Sequence, residues 1–189
     1  MLMKNPMHKQ NGFTLTELMI TVAIAAILLA IGVPSMREFI QNGRITAVTN
    51  ELVSALMVAR SEAIRKNTTT CVCPTANANV VTPVCAANGN WETGWIAFSD
   101  FNGDCVINGA APAADVLLNV WDGSQYAGQI TVRNDDPTIT LDNTVRFNSR
   151  GEPFNNGVPQ TGNFSICDDR PISNVDAQGN VRMASAVIV

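Results

Sequence analysis

The 189-residue chain is 46% hydrophobic but only 15% charged, with a formal net charge of −4. That apolar content excludes a disordered chain, and the length suits one domain with an appendage. The single histidine, His8, lies in a short polar N-terminal stretch read below as removed. The mature chain then has no imidazole, which excludes Ser-His-Asp and Cys-His catalysis and removes the commonest catalytic zinc ligand.

The N-terminus reads in three parts. Met1–Gly12 is polar, with Lys4, His8 and Lys9; Phe13-Thr14-Leu15-Thr16-Glu17 follows; Leu18–Val33 is apolar without a charge. A helix over Phe13–Val33 would span about 31 Å, close to the ~30 Å hydrocarbon core. Positive residues before it predict a cytoplasmic N-terminus and an exported remainder. A secretory signal would need small residues after the run, and Ala30-Ile31-Gly32 offers a poor site. A plain anchor leaves Glu17 unexplained, since a carboxylate at membrane depth costs roughly 2.5–3.5 kcal/mol. Cleavage between Gly12 and Phe13 would create an α-amino group able to neutralise Glu17 of a neighbouring copy. The alternative for Glu17 is a residue snorkelling to the interface.

Gly12-Phe13-Thr14-Leu15-Thr16-Glu17-Leu18, the apolar helix and Pro34 together resemble a type IV prepilin signature, with Thr16 where the family usually has Ile. The resemblance implies cleavage after Gly12 by prepilin peptidase, N-methylation of Phe13, and pairing of Glu17 with the Phe13 amine of an adjacent subunit during assembly. It places the chain in a bacterial inner membrane, single-pass, with the head in the periplasm before entry into a filament. No catalytic role and no cofactor are implied.

Pro34 would kink a continuous helix. Beyond it Ile45, Val48, Leu52, Leu56, Ala59 and Ala63 recur at three- and four-residue steps, an amphipathic helix with one side on a core. Gly43 costs ~1 kcal/mol in a helix interior, so a bend or looser turn is expected at Asn42-Gly43. The helix should stop near Asn67. The expected segments are a leader (1–12), a transmembrane and filament-core helix (13–33), an amphipathic helix packing on the head (34–67) and a β-rich head (68–189).

From Thr68 the period switches to two. Expected strands are Thr69–Cys73, Trp95–Ser99, Val116–Val120, Gln129–Arg133, Thr144–Asn148, Asn163–Cys167 and Asn180–Val187, separated by Gly, Pro, Asn and Asp. The predicted class is α+β, a type IV pilin fold: an antiparallel sheet whose core is completed by the long helix. In Trp91–Asp100 the aromatics and Ile96 fill the core and Gly94 permits a bulge. The same string resembles the WxxGWxxFxD box of the GspH/FimT group of minor pilins and pseudopilins, and Val145–Gly151 and Phe164–Asp168 resemble two later boxes. Membership implies a low-abundance subunit of a type IV pilus that primes assembly near the filament tip, or a GspH-type pseudopilin of type II secretion. Its partners would be other minor and major pilins, or pseudopilins, and an inner-membrane assembly platform.

The five cysteines lie beyond the apolar run, where an exported head permits disulfides. Within the resemblance, Cys73–Cys85 is the expected pair, closing a short loop where the family often carries one, for about 3 kcal/mol in the loop-entropy model. Cys105–Cys167 is the expected second, leaving Cys71. Asp100, Asn102 and Asp104 start like a calcium loop, but Cys105 stands where the turn glycine belongs and Ala111 where the bidentate Glu belongs. The other reading is an Asx-rich turn. DNA is a partner of some members of the group. Past Asn67, however, five arginines face twelve acidic residues, a balance that repels phosphate. Gly179-Asn180-Val181-Arg182 also lacks the first arginine of the group's Gly-Arg-x-Arg motif, which argues against DNA and leaves Arg182 as the residue that would contact it.

Overall fold

The computed structural model describes residues 12–86, 90–108, 114–134, 144–155, 157–168 and 184–188. Met1–Asn11, Arg170 and Arg182 lie outside the described residues, as do the first four residues of the last expected strand. The chain divides into two compact units, Met1–Asn42 and Gly43–Val189. The division falls at the dipeptide where the sequence anticipates a looser turn. The helix nevertheless continues through both Pro34 and Gly43, although Pro34 has no N–H to give to the preceding turn.

Helix α1 covers Leu15–Lys66, so it begins two residues after the expected Phe13. The reason is a cap. Thr14 Oγ1 accepts the Glu17 N–H at 3.3 Å, and the Thr14 carbonyl accepts the Leu18 N–H at 3.2 Å. Thr14 and Glu17 thus stand at the N-cap and N3 positions of a Thr-x-x-Glu pattern, and Glu17 adds negative charge to the helix's positive end. At the other end Asn67 adopts φ +52. The Thr68 N–H bonds to the Ala63 carbonyl at 3.2 Å and the Asn67 N–H to that of Ile64 at 3.4 Å, the Schellman arrangement that satisfies terminal carbonyls.

In the second unit α1 buries Val48, Leu52, Ala55, Leu56, Ala59 and Ala63. Among the described residues nine strands follow, all antiparallel where paired: β1 Thr69–Pro74, β2 Gly94–Asp100, β3 Val116–Asp122, β4 Ile130–Asn134, β5 Val145–Phe147, β6 Phe154–Asn155, β7 Val158–Pro159, β8 Gly162–Asp168 and β9 Ala184–Ile188. They form a four-stranded sheet in the order β3-β2-β1-β5, a three-stranded sheet β4-β8-β9 and a β6-β7 hairpin. The α+β expectation of one long helix with an antiparallel β head holds. β6 and β7 have no counterpart among the expected strands, because strands of two residues leave no alternation to detect.

The helix completes one core with residues from both larger sheets, including Val72, Trp95, Ala97, Val132, Val145, Phe147, Phe164 and Ile166. A buried bond from the Thr70 hydroxyl to the Ala59 carbonyl, 2.9 Å, ties helix to sheet. Trp95 stacks on Trp121, its cross-strand partner, with ring centroids 3.9 Å apart. The register shift between β2 and β3 falls at Ala97/Phe98, not at the expected Gly94. Gly94 is needed for a different reason: φ is +146, and a Cβ would lie 2.6 Å from the Trp121 carbonyl oxygen.

The opposite face of the β1–β2 pair is also covered. Cys71, Cys73, Ile96, Phe98 and Cys105 form a second buried cluster, with Cys85 and Ile107 packed against it. Burial on both faces explains why β1 and β2 read as almost uniformly buried strands.

Candidate functional site

Two regions carry the residues singled out from the sequence. The first is the N-terminal unit. From Gly12 to Ile40 every residue is exposed, and the most apolar 18-residue window of α1 has a mean hydropathy of 2.4 with none of it buried. Phe13 is 82% exposed, and Leu18, Ile20, Ile24, Ile27, Leu28 and Ile31 stand outward around the helix. A helix apolar on all sides is suited to lipid or to a bundle of like helices. Glu17 is the only acid between Gly12 and Pro34. Its backbone N–H is held by the Thr14 cap, in the turn next to Phe13.

The second region is the loop after β2. Asp100 is 1% exposed. One of its carboxylate oxygens accepts the Gly103 N–H at 2.7 Å and the Asn102 N–H at 3.2 Å, and the other accepts the Cys105 N–H at 2.7 Å. Asp104 accepts the Val106 N–H at 2.7 Å and the Asn102 side-chain amide at 2.8 Å. The backbone bond to Val106 is the main cause holding the Asp104 carboxyl below its ordinary range, with smaller help from Asn102, Asn108 and the charge of Arg146. These oxygens are spent on the loop's own donors, which is the Asx-turn reading of Asp100, Asn102 and Asp104.

Asp100 also meets the sulfurs of Cys71 and Cys105, and the three ligand atoms lie within 4.8 Å of one another. The two sulfurs are joined as a disulfide, so they are not thiolate ligands. The second bridge is Cys73–Cys85. The expected Cys105–Cys167 pair does not form. Cys167 lies on β8 in the other sheet, opposite Thr131 of β4, whereas the loop after β2 folds back over β1 and delivers Cys105 to Cys71.

A cleft of about 440 Å³ lies between the loop 76–80 and the 3-10 turns Trp91–Thr93 and Ser124–Tyr126. Its Asp122 accepts the Ser124 N–H at 2.9 Å, the Ser124 hydroxyl at 3.0 Å and the Asn79 amide at 2.7 Å. These bonds, the Ser124 N–H first, keep its carboxyl below the ordinary range. The carboxylate is committed to closing turns, not poised to exchange a proton near neutral pH.

The family model described as "Type II transport protein GspH" matches residues 48–186, and that of the "Prokaryotic N-terminal methylation motif" matches residues 7–33. The chain belongs to the GspH family. As a GspH-family chain with a methylation motif it is a type IV pilin-like minor pilin or pseudopilin, a structural subunit and not an enzyme. Among curated proteins it is 47% identical over 58 residues to a fimbrial protein of Pseudomonas aeruginosa, covering 31% of this chain and 37% of that one. It is 46% identical over 48 residues to the type IV major alpha-pilin of Moraxella bovis, covering 25% and 30%. The chain thus spans about a third of the length of these relatives. Among solved structures, the crystal structure of the type IV minor pilin FimU of Pseudomonas aeruginosa (strain PAO1) is similar at 15% identity and a TM-score of 0.46, over 77% of this chain and 92% of that one.

Proposed function

We propose that this chain is a minor pilin, a structural and assembly-priming subunit near the tip of a type IV pilus. In this reading prepilin peptidase cleaves after Gly12, Phe13 is N-methylated, and the apolar half of α1 serves first as an inner-membrane anchor and then as filament core. The single observation that carries it is the fully exposed apolar helix with one acid, Glu17, in its first turn. A charge in such a setting needs a partner on another molecule, and the Phe13 amine of an adjacent subunit supplies one. Pro34 gives the rod a site at which to bend between its two halves. Two disulfides suit a head in the periplasm.

The family's description as a type II transport protein supports the alternative, a GspH-type pseudopilin with the same chemistry on a secretion machine. The relatives named as fimbrial protein and pilin favour the pilus. A further alternative, a minor pilin that contacts DNA through Arg182, is disfavoured by the five arginines against twelve acidic residues past Asn67.

The test is Glu17→Ala in the full chain. Leader cleavage should proceed, as intact mass reports, while recovery in sheared filaments falls by about a hundredfold or more, the scale of one broken buried ion pair. Incorporation at the wild-type level would sink the pairing. Recovery of the wild-type chain with surface pili or with a secretion pseudopilus separates the two machines.

A further inference from the structure

Four cysteines converge on one face of the β1–β2 pair: Cys71, Cys73 and Cys105 are buried there and Cys85 packs beside them. Four cysteines can pair in three ways, and a rival to the observed connectivity lies close at hand. Cys85 Sγ is 3.7 Å from the Cys105 carbonyl oxygen and 20 residues away in sequence. Cys71, the actual partner of Cys105, is 34 residues away. Until Cys85 is taken by Cys73, 12 residues away, loop-closure entropy favours Cys85 over Cys71 as the partner of Cys105, and in that competition something local must favour Cys71.

Asp100 is placed to do this. Its backbone is fixed by the sheet, opposite Thr69 of β1. The oxygen that accepts the Cys105 N–H at 2.7 Å is also 3.5 Å from Cys71 Sγ. Its other oxygen gathers the Asn102 and Gly103 N–H groups, so the whole loop from β2 to Cys105 turns around one buried carboxylate. Cys105 itself sits at φ +56, a left-handed conformation that is unfavourable for an L-residue and needs such a hold.

We propose that Asp100 is the positioning residue that selects Cys71 as the partner of Cys105 during oxidative folding. Before oxidation, one carboxylate oxygen holds the Cys105 backbone and accepts the Cys71 S–H, bringing the two sulfurs together and leaving Cys85 to Cys73. The oxidant is a disulfide. The two thiols lose two electrons and two protons to it as their S–S bond forms, and it departs as two thiols. Asp100 supplies geometry and is unchanged.

The experiment is a competition in the full chain in detergent micelles, carrying Cys73→Ser and Cys167→Ser so that Cys71 and Cys85 compete for Cys105. The chain is reduced, oxidised with a glutathione couple, quenched by alkylation and mapped by mass spectrometry. Cys71–Cys105 should exceed Cys85–Cys105 by about tenfold, the scale of a charge-assisted hydrogen bond, and Asp100→Asn should bring the ratio close to one. The ratio is internal to each sample and does not depend on yield. Asp115→Asn is the control. Its carboxylate braces the same loop through the Phe101 N–H at 3.0 Å and the Asn108 N–H at 2.7 Å but touches neither cysteine, and its ratio should stay with the parent's. No preference for Cys71 in the parent, an unchanged ratio in Asp100→Asn, or an equal fall in Asp115→Asn would each overturn the proposal.

Discussion

Gly123 and Gly157 show how differently two glycines can be required. Gly157 adopts φ +81 with nothing within reach of a Cβ. Gly123 has an ordinary negative φ of −83, but a Cβ there would collide with the Glu92 carbonyl oxygen and lie 2.7 Å from Trp121 Cζ3. The Gly123 N–H also bonds to the Thr93 carbonyl at 3.1 Å, which fixes the approach. Gly157→Ala should therefore cost about 1–2 kcal/mol, the left-handed penalty alone. Gly123→Ala should cost about 3 kcal/mol or more, because a backbone carbonyl cannot swing aside as a side chain can. Urea unfolding followed by tryptophan fluorescence measures both, and equal losses would show that the 91–93 turn yields. The sequence marks both residues as turn glycines. It does not show the closeness of Gly123 to Glu92, which comes from two turns meeting after the β2–β3 pair has formed.

At the scale of the element, the C-terminal turn of α1 joins helix to sheet through charge. Glu62 meets Arg65 at 2.6 Å and Lys66 at 2.8 Å. Lys66 also donates to the Ser99 hydroxyl at 3.4 Å and lies 5.9 Å from the centre of the Phe101 ring. Hydrogen bonds from Arg65, then Lys66, lower the Glu62 carboxyl from an ordinary 4.5 to about 2. A carboxyl whose pKa is lower folded than unfolded contributes stability above its unfolded value and loses it as pH falls through the folded one. The Glu62 contribution should be complete above about 4.5 and fade toward 2. The thermal midpoint of Glu62→Gln should accordingly lie below wild type near neutral pH and converge with it as acid is added. A gap that persists in strong acid would mean that the carboxylate charge is not what matters. Much of this element was legible in the sequence. The step of three and four residues located Val48, Leu52, Leu56, Ala59 and Ala63, because periodicity records which face is buried. Ala55 escaped notice, since an alanine serves either face. Six of the seven expected strands agree with β1–β5 and β8 to within one or two residues for the same reason, while the seventh, Asn180–Val187, overlaps β9 and begins outside the described residues. The pairing of Cys71 with Cys105 was not legible, because the partners are neighbours only after a loop crosses the sheet.

The whole molecule has two ways of satisfying apolar surface. From Gly12 to Ile40 none is buried within the chain, whereas from Val48 onward one helix face is built into the head core. The motif at Gly12–Glu17 announces the first arrangement in the sequence, because a lone acid in an oily run has little meaning for an isolated molecule. The second arrangement carries a consequence for truncation. A fragment of residues 43–189 keeps Val48, Leu52, Ala55, Leu56, Ala59 and Ala63 against the sheets, together with both disulfides. Exported to an oxidising compartment, it should be soluble and unfold in one cooperative transition by calorimetry. A fragment of residues 68–189 keeps every described strand and both bridges but strips the helix from a core that holds Val72, Trp95, Trp121, Phe147 and Phe164. A sheet with one apolar face open is short of the layer it needs. This fragment should bind a hydrophobic dye and show no cooperative transition, or aggregate. If it unfolded as sharply as the longer fragment, the second half of α1 would be a spacer for the head and not part of its core.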